Sequence, residues 1–304
     1  MSPYHSGFVT LIGRPNVGKS TLLNSLLSQK IAAVSPRPQT TRRRQLGILS
    51  QEDGQIIFID TPGLHKPVHK LGEYMNEVAA ATLEDADVIV WLVDASQPPQ
   101  EEDRLIAARM DQIGAKLPPV LLALNKVDLI DPQNLPARME EFRALRPSAQ
   151  TFRLSAATGE GRDELLARII QALPEGQPYY DPDQITDLYE RDIAADLIRE
   201  AALRHLRDEV PHGIAVRIDE YKERSEEQVY IGATLFVERE SHKGIVIGQS
   251  ASMLKQIGTT ARQEIEAMSG RHVYLELRVK VNKNWRDNPE ALKQLGFVID
   301  KEAE

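Results

Sequence analysis

A chain of 304 residues, 41% hydrophobic and 27% charged, is longer than a typical single domain, so two globular domains are expected. Cysteine is absent, which excludes disulfides and thiolate metal sites and fits a reducing compartment. No apolar run reaches bilayer-spanning length, and Met1 to Leu11 lacks the basic, apolar character of a signal sequence. The net charge of −8 excludes a uniformly basic surface, yet Ser241 to Arg286 carries eight basic residues against three acidic ones, a local +5 that suggests either a polyanionic partner or a solvated face.

Phe8 to Ile12 reads as a buried strand and Lys19 to Leu27 as a helix. The loop between them, Gly13-Arg14-Pro15-Asn16-Val17-Gly18-Lys19-Ser20, has the glycines and the lysine of a phosphate cradle. Gly13 and Gly18 permit the tight turn that aims backbone N–H groups at phosphate oxygens, Lys19 adds a point charge at the β- and γ-phosphates, and Ser20 offers a hydroxyl to Mg²⁺. Thr21 follows at the helix N-terminus, which favours an anion. Asn16 suggests a monovalent cation such as K⁺ beside the phosphates. Ser35 to Gln45 reads as a mobile basic loop in which Thr40 or Thr41 would reach Mg²⁺, spacing alone leaving both open.

Ile56 to Ile59 is the next strand, and it delivers Asp60-Thr61-Pro62-Gly63 to the ligand end of a parallel sheet. Asp60 would hold Mg²⁺ and the Gly63 N–H would sense a γ-phosphate oxygen. Leu64 follows where Ras-like enzymes carry a water-orienting glutamine, so unaided hydrolysis is expected to be slow. Gly72 to Glu84, Glu101 to Ile113 and Arg162 to Leu173 have helical periodicity, alternating with strands at Asp87 to Val93, Val120 to Leu124 and Thr151 to Leu154. After the fourth of these five strands comes Asn125-Lys126-Val127-Asp128, whose Asp128 can accept the paired N–H groups of guanine that adenine lacks. Asn125 would orient the loop, Lys126 would lie over the base, and in Ser155-Ala156-Ala157 the Ala156 N–H would donate to the guanine carbonyl. The four motifs in this order specify GTP and GDP as ligands and GTP hydrolysis as the reaction.

A Pro-containing stretch, Leu173 to Gln184, is the best linker candidate. It separates an α/β domain at 1–176, with a mainly parallel sheet, through a linker at 177–185, from an α+β domain at 186–304. In the second domain Thr186 to Glu209 reads as an amphipathic helix with Leu188, Ile193, Leu197, Ile198, Ala201 and Leu206 on one side. Strands at Gly213 to Tyr221 and Gln228 to Glu238, a helix at Ser250 to Met268, a strand at Arg271 to Val281 and a short helix at Asn288 to Leu295 complete it.

These residues carry a resemblance over nearly the whole length. Gly13 to Asn24, Pro38 to Arg44, Asp60 to Pro67, Asn125 to Leu129, Val237 to Gly248, Leu254 to Arg262 and Asn284 to Asp287 are similar to the Era family of bacterial GTPases, which assist small ribosomal subunit assembly. The resemblance implies a Ras-like P-loop G domain and a type II KH domain that binds the 3′ end of small-subunit ribosomal RNA. It also implies a monomeric cytoplasmic protein with a peripheral fraction at the inner face of the cell membrane. RNA would be met by Lys243, the loop Gly248-Gln249-Ser250-Ala251, Lys255 and Arg262, with the single strand lying on Gly232 to Val237 and the helix from Ser252. KH domains clamp a backbone with a G-x-x-G loop, and here the second glycine is Ala251. Weaker RNA binding, or a KH fold kept for protein docking, are the alternatives this raises. A tRNA-modifying GTPase would need thiol or cofactor chemistry that a cysteine-free chain does not display. Trp285 would pack beneath the KH sheet or stack on a base.

Overall fold

The structure, a computed structural model, describes residues 3–35, 37, 40–64 and 67–297. Pro36, Pro38, Gln39, His65 and Lys66, which belong to motifs read above, lie outside the described residues. The chain divides into two compact units. The first comprises Met1–Lys30, Thr41–Pro67 and Met75–Asp187; the second comprises Ile31–Thr40, Val68–Tyr74 and Leu188–Glu304. Among the described residues no helix is long and apolar enough to cross a membrane.

The first unit is built on six strands: β1 (His5–Ile12), β2 (Gln45–Ser50), β3 (Gly54–Asp60), β4 (Val88–Asp94), β5 (Val120–Asn125) and β6 (Gln150–Arg153). Their order is β2-β3-β1-β4-β5-β6, parallel except for β2, which pairs antiparallel with β3. Every residue of β3, β4 and β5 is buried, as expected of strands covered on both faces. Helices α1 (Lys19–Leu27), α2 (Lys70–Glu84), α3 (Glu101–Ile113), α4 (Leu135–Arg143) and α5 (Arg162–Ala172) follow strands in turn, with the first turn of α2 falling in the second unit. Trp91 of β4, fully buried, sits in an apolar cluster with Ile106, Met110, Leu122 and Phe142.

The stretch expected as a linker is bound along this unit. Buried Gln55 of β3 accepts the N–H groups of Tyr179 (2.7 Å) and Tyr180 (3.0 Å) and donates to Tyr180 O (2.8 Å). Ile48 N–H donates to Ile185 O, and Thr186 Oγ1 to Leu46 O. The helix expected from Thr186 therefore starts later, as α6 (Glu190–His205).

The second unit continues with β7 (Ala215–Ser225), β8 (Gln228–Val237), α7 (Glu240–Ile247), α8 (Ser252–Ser269), β9 (His272–Val281) and α9 (Pro289–Gln294). The sheet runs β7-β8-β9, with β8 antiparallel to β7 and parallel to β9. Ile193, Leu197, Ile198 and Ala201 of α6 and Ile257, Ala261 and Ile265 of α8 pack on one face of it, against Ile231, Ala233 and Leu235. Trp285 is fully buried; its Nε1–H donates to Gly213 O at 2.8 Å and its ring stacks near Phe297. The order α-β-β-α-α-β contains one helix more than periodicity gave, because α7 is only eight residues long and has Gly244, a poor helix former, within it.

Candidate functional site

Parallel register sets the candidate residues of the first unit level with one another. Leu11 is opposite Asp60, Ile12 opposite Trp91 and Asp94 opposite Asn125, so the loops after β1, β3, β4 and β5 all leave from the same edge. This is where a doubly wound sheet offers a ligand crevice.

The phosphate loop is held by backbone demands that only glycine meets. At Gly18, φ is 106° and a Cβ would lie 2.2 Å from Asn125 Nδ2; at Gly63, a Cβ would lie 2.7 Å from Pro15 N. Lys19 is buried and its ammonium donates to Gly13 O (3.0 Å) and Arg14 O (3.2 Å). Burial lowers its pKa from 10.5 to about 8, against an upward pull from Asp60.

Asp60 is fully buried at the end of β3. Its Oδ2 accepts hydrogen bonds from Ser20 Oγ (2.9 Å), Thr41 Oγ1 (3.2 Å) and Gln45 Nε2 (3.2 Å). Its Oδ1 is buried without a hydrogen-bond partner. Burial raises the carboxyl pKa, although the Lys19 charge and the three donors oppose it. An orphaned carboxylate oxygen beside two converging hydroxyls is the hard oxygen donor set that fits Mg²⁺. Of the two threonines left open by spacing, Thr41 is the one in this cluster, with its Oγ1 2.9 Å from Ser20 Oγ. Thr40 falls in the second unit and its hydroxyl donates to Arg37 O. Gln45 was not anticipated; nothing local in sequence marks it, since its role comes from the antiparallel pairing that sets it opposite Asp60.

Asn125 joins two loops. Its Nδ2 donates to Val17 O (2.7 Å) and its Oδ1 accepts the Ala156 N–H (2.8 Å). The donor expected for the guanine carbonyl is therefore engaged by Asn125 here, because the buried amide must satisfy its own oxygen. Ala157, next in the chain, is exposed, and Ser155 is buried with its Oγ accepting the Thr158 N–H. Asp128 is exposed in a short 3₁₀ turn, free of burial where a base edge would approach. Lys126 has a positive φ of 65° and its ammonium reaches Asp94 Oδ2 at 2.7 Å.

Asp94 also faces Arg14 of the phosphate loop, at 3.7 Å, and Arg14 lies 3.4 Å from buried Asp103. Burial pushes the Asp94 carboxyl up, but hydrogen bonds from Lys126 and Ser96 outweigh it and leave the pKa lowered. One carboxylate thus braces both the phosphate loop and the base loop. Thr61 Oγ1 donates to Leu11 O, and Pro62 is buried, so both hold the strand exit. Asn16 is exposed at φ 64° and Thr21 is half-buried in the first turn of α1. Leu64 packs against the apolar cluster around Trp91.

In the second unit a groove of about 410 Å³ runs between α8 and β9, lined by Ala251, Leu254, Lys255, Gly258, Thr259 and Arg262 on one side and Leu275 and Leu277 on the other. The strand bordering it is β9. Gly232 to Val237, expected to carry the single strand, lies in the central strand β8, and every residue of that stretch is buried. Gly248, Gln249 and Ser250 form the loop that ends at Ala251; Lys243, half-buried on α7, does not line the groove. Gly248 has a φ of 71° and no room for a Cβ, which would meet Met253 Cβ at 2.8 Å. Ala251 has a φ of 60°, in the left-handed region.

Both units resemble known proteins. A family model described as a 50S ribosome-binding GTPase matches residues 8–126, and a KH domain model matches residues 209–286. The chain is 46% identical to the GTPase Era of Caldanaerobacter subterraneus subsp. tengcongensis over 299 residues, 98% of this chain and 99% of that protein. It is 45% identical over 298 residues, 98% and 99% of the two chains, to the GTPase Era of Ruminiclostridium cellulolyticum. Among solved structures, Era in complex with MgGDPNP and nucleotides 1506–1542 of 16S ribosomal RNA superposes with a TM-score of 0.92 at 40% identity, covering 97% of this chain and 100% of that one. A variant of Aquifex aeolicus Era bound to GDP and AlF₄⁻ superposes at 0.91 with the same identity and coverage.

Proposed function

The chain belongs to the Era family of GTPases, and from that premise we propose that its turnover of GTP is coupled to holding the 3′ end of small-subunit ribosomal RNA, as a switch in small-subunit assembly. The observation that carries the nucleotide half is the convergence of Lys19, Ser20, Thr41 and Asp60 at the ends of β1 and β3, with Asp128 exposed beyond β5. The groove beside Ala251, Lys255 and Arg262 supports the RNA half, together with a relative solved on such an RNA.

In this reading Lys19 and the backbone N–H groups of Asn16 to Ser20 hold the β- and γ-phosphates, and the helix N-terminus at Thr21 adds to the field. Ser20, Thr41 and Asp60 would hold Mg²⁺, which when bound draws charge from the phosphate oxygens. Water attacks the γ-phosphorus in line, the bond to the β-phosphate oxygen breaks, and GDP and phosphate are released. Gly63, pressed on the phosphate loop, is positioned to report the loss of the γ-phosphate. Leu64 presents no group that orients water, so turnover without an activator is slow. Asp128 selects guanine, Asn125 and Lys126 brace its loop, and K⁺ beside Asn16 belongs to the same proposal. We place the domain boundary at Asp187–Leu188, after the stretch bound along β2 and β3. A cytoplasmic location, a peripheral membrane fraction and a monomeric state complete the reading, to be checked by fractionation and sedimentation velocity.

The test is anisotropy of a labelled RNA copying the 3′ end of small-subunit ribosomal RNA, beside a scrambled control, with protein holding GDP or a non-hydrolysable GTP analogue. Selective binding favoured by the analogue is expected. The Asp128→Asn protein is expected to lose its preference for GTP over other triphosphates; an unchanged preference would refute the base assignment.

A further inference from the structure

The sheet of the second unit has α6 and α8 on one face only. Its other face exposes an aromatic cluster at the end where β9 begins. The rings of Tyr230 on β8 and Tyr274 on β9 are stacked, with centroids 5.7 Å apart and planes at 21°. Arg224 of β7 lies over both, 4.9 Å from the first ring and 5.6 Å from the second. Tyr274 is 62% exposed. Tyr230 is fixed from behind, since its hydroxyl donates to Glu276 (2.9 Å), and Glu276 is gripped by Arg278 at 3.0 and 2.7 Å.

A cross-strand tyrosine pair stabilises a sheet, and that alone would explain two rings packed together. It does not explain where this pair lies. A shallow cavity of about 240 Å³ sits at the start of β9, walled by Arg262 and Glu266 from the helix side and by Arg224 and Tyr274 from the other. Arg262 is also a wall of the groove between α8 and β9. The groove, this cavity and the stack therefore form one continuous path around the edge of β9, with a guanidinium at each junction. Arg278 and Lys280, from the basic stretch, are exposed on the same strand. Tyrosine faces and arginine planes are what unpaired bases stack on, without regard to sequence, and phosphates follow the cations.

The geometry points to a second nucleotide-stacking site at Tyr230, Tyr274 and Arg224, which takes an unpaired base of the same RNA strand as it leaves the groove past Arg262. The assignment rests on the reading of the groove as an RNA site and extends it from a clamp of about four nucleotides to a longer track.

The experiment uses the full chain with Mg²⁺ and a non-hydrolysable GTP analogue. Anisotropy is measured on an RNA of about four nucleotides, the length a KH groove clamps, and on versions extended by about six nucleotides at the 5′ or the 3′ end. For the native protein, one extension is expected to tighten binding about ten-fold, in the range of one base stacked on an aromatic ring. Tyr274→Ala should lose that gain while matching the native protein on the short RNA, and Tyr274→Phe should keep it. Arg224→Gln, which leaves both rings in place, should lose part of it and serves if Tyr274→Ala does not fold by urea unfolding. Lys255→Ala should weaken both RNA lengths. A gain that survives Tyr274→Ala and Arg224→Gln, or no gain from either extension, overturns the second site while leaving the groove standing. Failure of the native protein to bind even the short RNA overturns the groove reading, and the second site with it.

Discussion

Ala251 closes the loop at the head of the groove between α8 and β9 with φ 60° and ψ 24°, and Ser250 before it has φ 48°. A left-handed alanine costs about 1–2 kcal/mol against glycine, of which roughly 0.4–1 kcal/mol is returned through the unfolded chain. Ala251→Gly is therefore expected to raise stability by about 0.5–1 kcal/mol in urea unfolding, without weakening RNA; a fall in stability would show that the loop is not strained. Lys19 makes a second prediction at this scale. Its pKa of about 8 is below its ordinary 10.5, and phosphates will favour the charged form and raise it on binding. Only the protonated lysine binds well, so GDP affinity should be flat below pH 8 and fall above it, by up to about ten-fold per pH unit until the bound-state pKa is reached. Titration from pH 7 to 9.5 checks this, with net proton uptake on binding near pH 8; affinity that is level across the range would remove Lys19 as the charge partner.

Gln55 ties a strand to a segment that follows it by more than a hundred residues. Replacing it with alanine would strand the N–H groups of Tyr179 and Tyr180 and the Tyr180 carbonyl against the sheet. Gln55→Ala is expected to cost about 2–4 kcal/mol in urea unfolding and to open 177–187 to cleavage after Tyr179 and Tyr180; resistance equal to the native protein would mean the segment is held elsewhere. This tie also shows what sequence alone could reveal. Helices α1 and α3 and strands β1 and β5 were legible because their periodicity or apolar runs are local. Strand β2 was not, since it begins within a basic loop and contains Gly47, whose Cβ would meet Leu23 Cδ1 at 2.5 Å. Helix α4 buries only Phe142, too little for a visible stripe. The site motifs were legible in order and placement, but the partners of Asp60, Asn125 and Asp94 come from strand register. The same holds for β9, rather than β8, bordering the groove: sheet order is set by pairing between distant segments.

Across the whole chain a net charge of −8 coexists with the +5 of Ser241 to Arg286. RNA should therefore be gripped by a few local cations and repelled elsewhere. With single strands the logarithmic salt slope is about −0.7 per phosphate contact, so a groove using Lys255, Arg262 and one further cation predicts a slope near −2. Lys255→Gln should make it shallower by about 0.7, measured from 50 to 300 mM KCl; an unchanged slope would place the contact elsewhere. The chain also holds only two tryptophans, and each unit buries one completely. Trp91 has an indole N–H with no hydrogen-bond partner, whereas that of Trp285 donates to Gly213 O. The two chromophores therefore differ in polarity as well as position, Trp91 emitting at the shorter wavelength. Intrinsic fluorescence can thus follow the nucleotide half and the RNA half as separate optical channels, with no label attached.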